Sequence, residues 1–317
     1  DQRIKSSVSI GGAIYPKDGT DLLTLKRNSD LAMYSAKESG KNQYRLFDAE
    51  MTDSSNQRLV VQNDLQSAIE NSELEVYYQP KINTSNLQAS GCEALIRWHH
   101  PLEGFLNPDE FIPFAEENGL IKPLDYYVIR NVCQQIALWR EQGMISLPIA
   151  VNLSGLHFQN EDILDILECA LQASNIDSCM LEIELTEAIL IEDPDRALNI
   201  LKKIRAMNIK VSLDDFGTGY SSLSYLRSLP IDSIKVDKSF IARITKNPQD
   251  FAITQGIINL AQSLNLEVVA EGVENEDQLH LLVEMGCEQA QGFFFSKPCR
   301  ATEIQTWLYE NHNHTGN

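Results

Sequence analysis

The sequence predicts an α/β protein built on a (β/α)8 TIM-like barrel with an antiparallel first strand, and three observations carry that prediction. From Leu74 onward, short apolar strands alternate with amphipathic helices over a stretch close to the ~250 residues typical of such a barrel. The first two strand segments are joined only by the polar connection 82–88, too short for a helical crossover, so this pair runs antiparallel. Several later strands end in a carboxylate or an amide, and in this architecture the C-terminal strand ends carry the active site. A doubly wound open sheet is the alternative arrangement.

Bulk numbers narrow the function classes. A chain of 317 residues, 43% hydrophobic and 22% charged, is ordinary for a soluble globular protein of one large or two smaller domains. Its net charge of -19 argues against coating a nucleic-acid polymer, which needs basic patches, and against docking on an anionic membrane. An anionic substrate is still compatible if metal ions supply local positive charge. No apolar run approaches the roughly 18 residues of a membrane helix, and the opening DQRIKSSVSIGG lacks a signal-peptide pattern. The six cysteines are scattered without a CxxC pair, so neither a zinc knuckle nor a disulfide framework is indicated and a reducing cytoplasm is expected. Sensor or membrane-tethering segments upstream in a longer protein are compatible with this.

Taken in order, residues 1–48 read as a small N-terminal βαβ remnant. SSVSIGGAIY alternates as a strand and breaks at Gly11-Gly12. A helix is expected from about Asp21 to Ser39, with Leu23, Leu25, Leu31, Ala32 and Tyr34 on or near one face and Gly40 as its stop. NQYRLF supplies a second short strand. One helix and two strands cannot bury a core alone, so the unit reads as a packing appendage. Residues 49–72 read as a polar linker helix with a stripe of Leu59, Val60, Leu65 and Ile69. Strands are then expected near 74–80, 89–97, 148–152, 181–186, 210–214, 233–236, 266–270 and 286–291, with amphipathic helices such as 123–141, 161–174 and 194–207 between them. The barrel unit spans 73–311, and 312–317 is a tail.

The stretch KVSLDDFGTGYSSL at 210–223 organises the site. Vicinal acids, Asp214 and Asp215, at the end of a buried strand are costly unless something cationic sits between them. Gly217 and Gly219 follow in a loop and permit backbone angles other residues resist. In LEIELTE, Leu181, Ile183 and Leu185 share one face and Glu182, Glu184 and Thr186 the other. Helices cover a barrel from outside, so the leucine face points outward and Glu184 toward the axis. The same parity groups Asn152 with Ala150, Asp214 with Ser212, Lys235 with Ser233, Glu271 with Val269, and Glu93 with Leu95 and Arg97, each polar residue near the C-terminal end of its strand.

Glu93, Asn152, Glu184, Asp214, Asp215 and Glu271 thus form an all-oxygen ligand set, which selects Mg2+, Mn2+ or Ca2+ over zinc or copper. Asp214 can bridge two ions while Asp215 completes the second, and two ions about 3.5–4 Å apart suit in-line displacement at a phosphate. Lys235 is placed to orient the attacking water or to neutralise developing charge; a structural ion pair with Asp237 is the other reading, and the two are compatible. Glu271 is a second-metal ligand or a general base. Glu274 either hydrogen-bonds around the site or is a helix-start acid.

Glu93-Ala94-Leu95 with Arg97 resembles the signature of the EAL-domain cyclic di-GMP phosphodiesterases. Around it stand YQP at 78–80, VNLS at 151–154, ELTE at 184–187, DDFGTGYSSL at 214–223, IKVD at 234–237, AEGVE at 270–274 and QGFFFSKP at 291–298, in the family's order across residues 74–308, with no departure at a metal-site position. DLAMYSAKESGKNQYRLFD at 30–48 resembles the C-terminal end of a GGDEF (diguanylate cyclase) domain without that family's signature, so no cyclase activity is carried over.

The first resemblance implies hydrolysis of cyclic di-GMP to linear pGpG with two Mg2+ or Mn2+ ions. By it, Glu93, Asn152, Glu184 and Asp214 hold one metal, and Asp214, Asp215 and Glu271 serve the other. Glu93, Asp215, Lys235 and Glu271 form the catalytic group, with Lys235 on the attacking water. Gln79, Leu95, Arg97, Asp237, Gln291 and Pro298 meet the substrate, Arg97 offering its planar fork to a phosphate. Phe294 faces a guanine or is a core aromatic. Glu187 matches the glutamate that steadies the glycine loop, and a homodimer through this domain is implied, with activity tuned by the placement of Asp215. Ca2+ is expected to bind and inhibit, because its longer, looser coordination places water poorly. Two other readings stand beside the enzyme: a non-catalytic cyclic di-GMP receptor acting through a protein partner, and a different metal-dependent phosphohydrolase on the same scaffold.

Overall fold

Glycine decides how the N-terminal unit packs. The computed structural model describes residues 8–38, 42–48, 64–71, 73–159, 162–187, 193–217 and 226–314, excepting the side chains of Tyr34, Glu38 and 312–314. Strand β1 (Ile10–Gly12), the helix Leu22–Glu38 and strand β2 (Tyr44–Leu46) form a βαβ unit with β1 and β2 parallel, as expected. A Cβ at Gly11 would meet Met33 N and Ser29 O, so the strand lies directly on the helix backbone. That contact, rather than the leucines, sets the buried face: Asn28, Ala32 and Ala36 are buried, whereas Leu23 is 81% exposed. Gly40, Gly219, residues 49–63 and 72 of the expected linker helix, and 315–317 of the tail lie outside the described residues. Residues 64–71 are helical, and Leu65 and Ala68 join the core of the barrel.

The barrel is built from strands whose every second residue is apolar. They are β3 (Leu74–Asn83), β4 (Ala89–His100), β5 (Gly104–Leu106), β6 (Ile149–Asn152), β7 (Leu181–Thr186), β8 (Lys210–Phe216), β9 (Ser233–Val236), β10 (Glu267–Ala270) and β11 (Gln289–Ala290). The ring runs β3-β11-β10-β9-β8-β7-β6-β4 and returns from β4 to β3, which closes it and excludes the open doubly wound sheet. Only β3 runs against its two neighbours; every other pairing within the ring is parallel. β5 pairs antiparallel with the far end of β4, outside the ring.

Parity sorts the two faces. Ile149, Val151, Leu181, Ile183, Leu185, Val211, Leu213 and Ile234 are buried outward beneath the helices in one continuous core. Truncating one of them, such as Ile183, to alanine would cost about 2–5 kcal/mol. The lumen differs from the branched aliphatic layers usual in this fold: Lys81, Glu93, Glu184, Ser212, Ser233 and Lys235 are all buried. The covering helices start on definite signals. Asp193 accepts from Arg196 N ahead of Pro194–Ala206, Asn247 accepts from Gln249 N ahead of Pro248–Ser263, and both helices open with proline.

Two expectations need correction. Glu93 is not near the end of its strand but fifth of the 12 residues of β4, because β4 runs on past the rim to meet β5. The last strand is only Gln289–Ala290 rather than 286–291.

Candidate active site

A regular strand would send Asp214 and Asp215 to opposite faces. Here the pairing of β8 with β9 slips between Leu213 and Phe216, and Asp215 takes the left-handed conformation at φ 53°. The bulge turns Asp215 back to the rim, so carboxylate oxygens of Asp214, Asp215 and Glu271 come within 4.8 Å of one another. The Asp215 amide donates to Asp214 Oδ1 at 2.8 Å. Glu271 is set by a second left-handed position: Gly272 has φ 71°, and a Cβ there would lie 2.6 Å from Lys238 Cβ. The Glu271 amide donates to Val236 O at 3.1 Å, extending the β9–β10 ladder by one rung.

Lys235 rises through the middle of the cluster with no exposed surface. Its Nζ lies 2.6 Å from Glu271 Oε1, 2.7 Å from Glu184 Oε2, 3.2 Å from Asp214 Oδ2 and 3.3 Å from Glu93 Oε2. Asp237 is not among these partners. It caps the helix Lys238–Ile241 by accepting from Ser239 N at 3.0 Å, so the Lys235–Asp237 pair is not formed. Asn152 Nδ2 donates to Glu93 Oε1 at 2.7 Å, which leaves the Asn152 amide oxygen for another partner. Gln291 Nε2 donates to Glu93 Oε2 at 2.7 Å and to Gln79 Oε1 at 3.0 Å, and Gln79 Nε2 donates to Ser296 O. Gln79 and Gln291 are therefore buried struts behind Glu93.

The cluster carries more negative charge than its two lysines neutralise. Burial, then the neighbouring Glu184, pushes Glu93 above the usual carboxylate range. Asp214 and Asp215 are raised chiefly by burial. Glu271 is pushed up to about 8, again chiefly by burial, despite its contact with Lys235. Glu184 alone is held low, at about 2: burial pushes it up, but Lys235 and Lys81 together outweigh that. An all-oxygen donor set with surplus acid fits added divalent cations by both donor chemistry and charge.

The remaining expected residues fall in several places. Leu95 lines a cavity of about 440 Å³ that runs from Asn152, Glu184, Asp214 and Asp215 to an apolar wall at Ile112. Arg97 is half-buried; its Nη1 donates to Ile96 O at 2.8 Å and its guanidinium lies 5.8 Å from the Tyr77 ring centroid. Pro298 is half-buried and Phe294 is 41% exposed. Gly217 has φ 99°, and a Cβ there would meet Phe240 Cε2 at 3.0 Å. Glu187 is buried, and among the described residues neither of its carboxylate oxygens has a partner. The Glu274 side chain is exposed; its amide donates to Gln278 Oε1 at 2.7 Å just before the helix Glu276–Glu284.

Sequence reasoning missed three features. Lys81 Nζ reaches Glu184 Oε1 at 2.7 Å and Glu182 Oε1 at 3.1 Å; its shared parity with Gln79 was the available signal. The helix Pro108–Glu117 lines the cavity, and its NPDE start was legible as a helix signal. Asp125, also on the cavity, accepts from Ser154 N at 3.1 Å and meets His157 Nε2 at 3.0 Å. Nothing in the sequence links those two side chains, because only the fold brings them together.

Residues 62–298 match the family model described as the EAL domain. The chain belongs to the EAL family. Among EAL relatives, it is 40% identical over 301 residues to the bifunctional diguanylate cyclase/cyclic di-GMP phosphodiesterase MucR of Pseudomonas aeruginosa, covering 95% of this chain and 44% of that protein. It is 41% identical over 304 residues to the cyclic di-GMP phosphodiesterase PdeR of Escherichia coli, covering 96% and 46%. The chain thus spans less than half the length of these two relatives. The solved EAL structure described as PaMucR phosphodiesterase, c-di-GMP complex, superposes with a TM-score of 0.74 at 40% identity, covering 77% of this chain and 99% of that one. The Bd1971 EAL enzyme in its cAMP- and cyclic-di-GMP-bound form gives 0.76 at 28% identity, covering 92% and 77%. No described helix of this EAL protein is long and apolar enough to cross a membrane.

Proposed function

We propose that the chain is a metal-dependent phosphodiesterase that hydrolyses cyclic di-GMP to linear pGpG, lowering the level of a bacterial second messenger. The observation that carries this reading is the convergence of Glu93, Asn152, Glu184, Asp214, Asp215 and Glu271 around Lys235 on one barrel rim. The named relatives support it. Glu93, Asn152, Glu184 and Asp214 would hold one Mg2+ or Mn2+, and Asp214, Asp215 and Glu271 the other. Bound there, the ions supply Lewis acidity toward the phosphate and lower the pKa of water.

The chain's own residues do the rest. The cavity beside Leu95 seats part of the dinucleotide. Lys235 Nζ, anchored by four carboxylates, directs its positive charge at the reacting centre. Glu271 meets Lys235 Nζ through Oε1 at 2.6 Å, and its carboxylate is the group assigned to accept the proton of the attacking water. Water oxygen bonds to phosphorus, the P–O3′ bond breaks, and the 3′ oxygen leaves as a hydroxyl with a proton from solvent. Assembly as a homodimer through this domain belongs to the same proposal, with Glu187 steadying the loop after Asp215. Glu187→Ala is expected to lower turnover while leaving the circular dichroism unchanged. Residues 1–48 are assigned as the end of a GGDEF-like unit with no catalytic part.

The test is incubation with cyclic di-GMP and Mg2+ or Mn2+, read by chromatography across protein concentrations. We expect pGpG from the wild type, little in Ca2+, and none from Glu93→Ala or Asp214→Ala at any substrate concentration. Binding without product would favour the receptor reading, and neither binding nor product would favour another phosphohydrolase. Near-normal turnover in either alanine variant would overturn the ligand assignment.

A further inference from the structure

The oxygens of Glu184 are divided between two floors of the barrel. Its Oε2 takes Lys235 Nζ at 2.7 Å on the rim side. Its Oε1 takes Lys81 Nζ, also at 2.7 Å, from the lumen side. Lys81 is 3% exposed and comes from β3, the strand that runs against the others; its cross-strand partner Gly91 lies two residues below Glu93, the partner of Gln79. A second contact, to Glu182 Oε1 at 3.1 Å, fixes the ammonium group laterally, so Lys81 is tied to two acids on the same strand, β7.

We propose that Lys81 is a positioning residue that restricts Glu184 to ligation through one oxygen, and thereby sets which divalent cation the rim accepts. The inference rests on the cation-site reading above. Ca2+ takes six to eight oxygens at about 2.3–2.6 Å and commonly draws both oxygens of a carboxylate, whereas Mg2+ demands a compact octahedron at about 2.0–2.1 Å with one oxygen from each acid. With Oε1 held by Lys81 on the lumen side, the one oxygen Glu184 can turn to an ion is Oε2, which it shares with Lys235 at the rim. That lowers the coordination number available and favours the smaller ions. Were Lys81 removed, the carboxylate could rotate and present both oxygens, and Ca2+ would gain most.

Titration calorimetry without nucleotide tests this, with Mn2+ and Ca2+ measured separately on the wild type, Lys81→Met and Glu182→Gln. The ratio of Kd for Ca2+ to Kd for Mn2+ is the readout, because loss of a positive charge strengthens binding of every divalent cation but does not by itself change their ranking. We expect the ratio to fall about tenfold or more in Lys81→Met and to stay within about threefold of wild type in Glu182→Gln, which keeps the Lys81–Glu184 contact. An unchanged ratio in Lys81→Met overturns the proposal while leaving the cation site standing. If Lys81→Met does not fold, crystals of the wild type with each ion decide. Glu184 should place one oxygen on the ion and keep Oε1 on Lys81 Nζ; a bidentate Glu184 overturns the proposal. A wild type that binds neither ion sinks the cation site, and with it this role for Lys81.

Discussion

Asp215 holds a backbone conformation that a residue with a Cβ adopts reluctantly, at φ 53°. A side chain there costs about 1 kcal/mol relative to glycine, and the site adds repulsion from Asp237 and mutual repulsion with its neighbour Asp214. The strain is what turns a second carboxylate to the rim. Asp215→Gly is therefore expected to raise cation-free stability by about 1 kcal/mol in urea unfolding while abolishing turnover. A variant less stable than wild type would count against the strain. Glu271 is the complementary case, since its two proposed roles separate chemically. Glu271→Gln keeps an amide oxygen for a cation but accepts no proton, so Mn2+ affinity by calorimetry should fall far less than kcat. Equal losses would make Glu271 a ligand only. Strand parity made Glu93, Glu184, Lys235 and Glu271 legible in the sequence. It could not foresee the bulge at Asp215, because an extra residue in a ladder leaves no mark on a period-two pattern.

Among the elements, the helix Glu276–Glu284 shows how one side chain secures a boundary beside the site. Asn275 Oδ1 accepts from Gln278 N at 3.1 Å, and Gln278 Oε1 accepts from the amides of Asn275 and Glu274. The buried Gln278 side-chain amide also donates to Ile241 O at 3.1 Å, pinning the end of the short helix Lys238–Ile241. Gln278→Leu fills similar volume and leaves those groups unpaired. It is expected to cost about 2 kcal/mol in urea unfolding, with turnover little changed. A change below about 0.5 kcal/mol, the reach of an ordinary surface substitution, would show that these hydrogen bonds contribute little. The strands and long helices were readable because both faces of each repeat at their own period. The short pieces were not: Gly104–Leu106 exists only because β4 outruns the ring and offers it an edge, and Gln289–Ala290 is too short to show a period, its ladder with β10 ending at the bond from Gln291 N to Ala270 O.

At the scale of the molecule, a net charge of -19 surrounds a site proposed to take a dianionic nucleotide. Two divalent cations offset only part of that field, so long-range repulsion should slow encounter, and salt should relieve it. The association rate of cyclic di-GMP, measured by stopped flow with Ca2+ in place of Mg2+ to suppress turnover, is expected to rise as NaCl goes from about 20 to 150 mM. A fall would mean that the local cations, not the whole charge, govern approach. The closed ring itself was legible from the alternation of elements and the short 82–88 connection. The ionic lumen was not, since the sequence reading followed the acids and passed over Lys81.

The pairing of β3 with both β4 and β11 also sets a timetable for synthesis. Asn83 meets Gln289, so the first strand of the ring waits for the last before its second edge is satisfied. While the chain is still emerging from the ribosome, the nascent sheet carries two open margins of unpaired amides and carbonyls, a state in which strand-rich intermediates stick to one another. The half-made cylinder needs shelter until that strand arrives, and a chain cut off before Gln289 should go to inclusion bodies rather than fold with reduced stability.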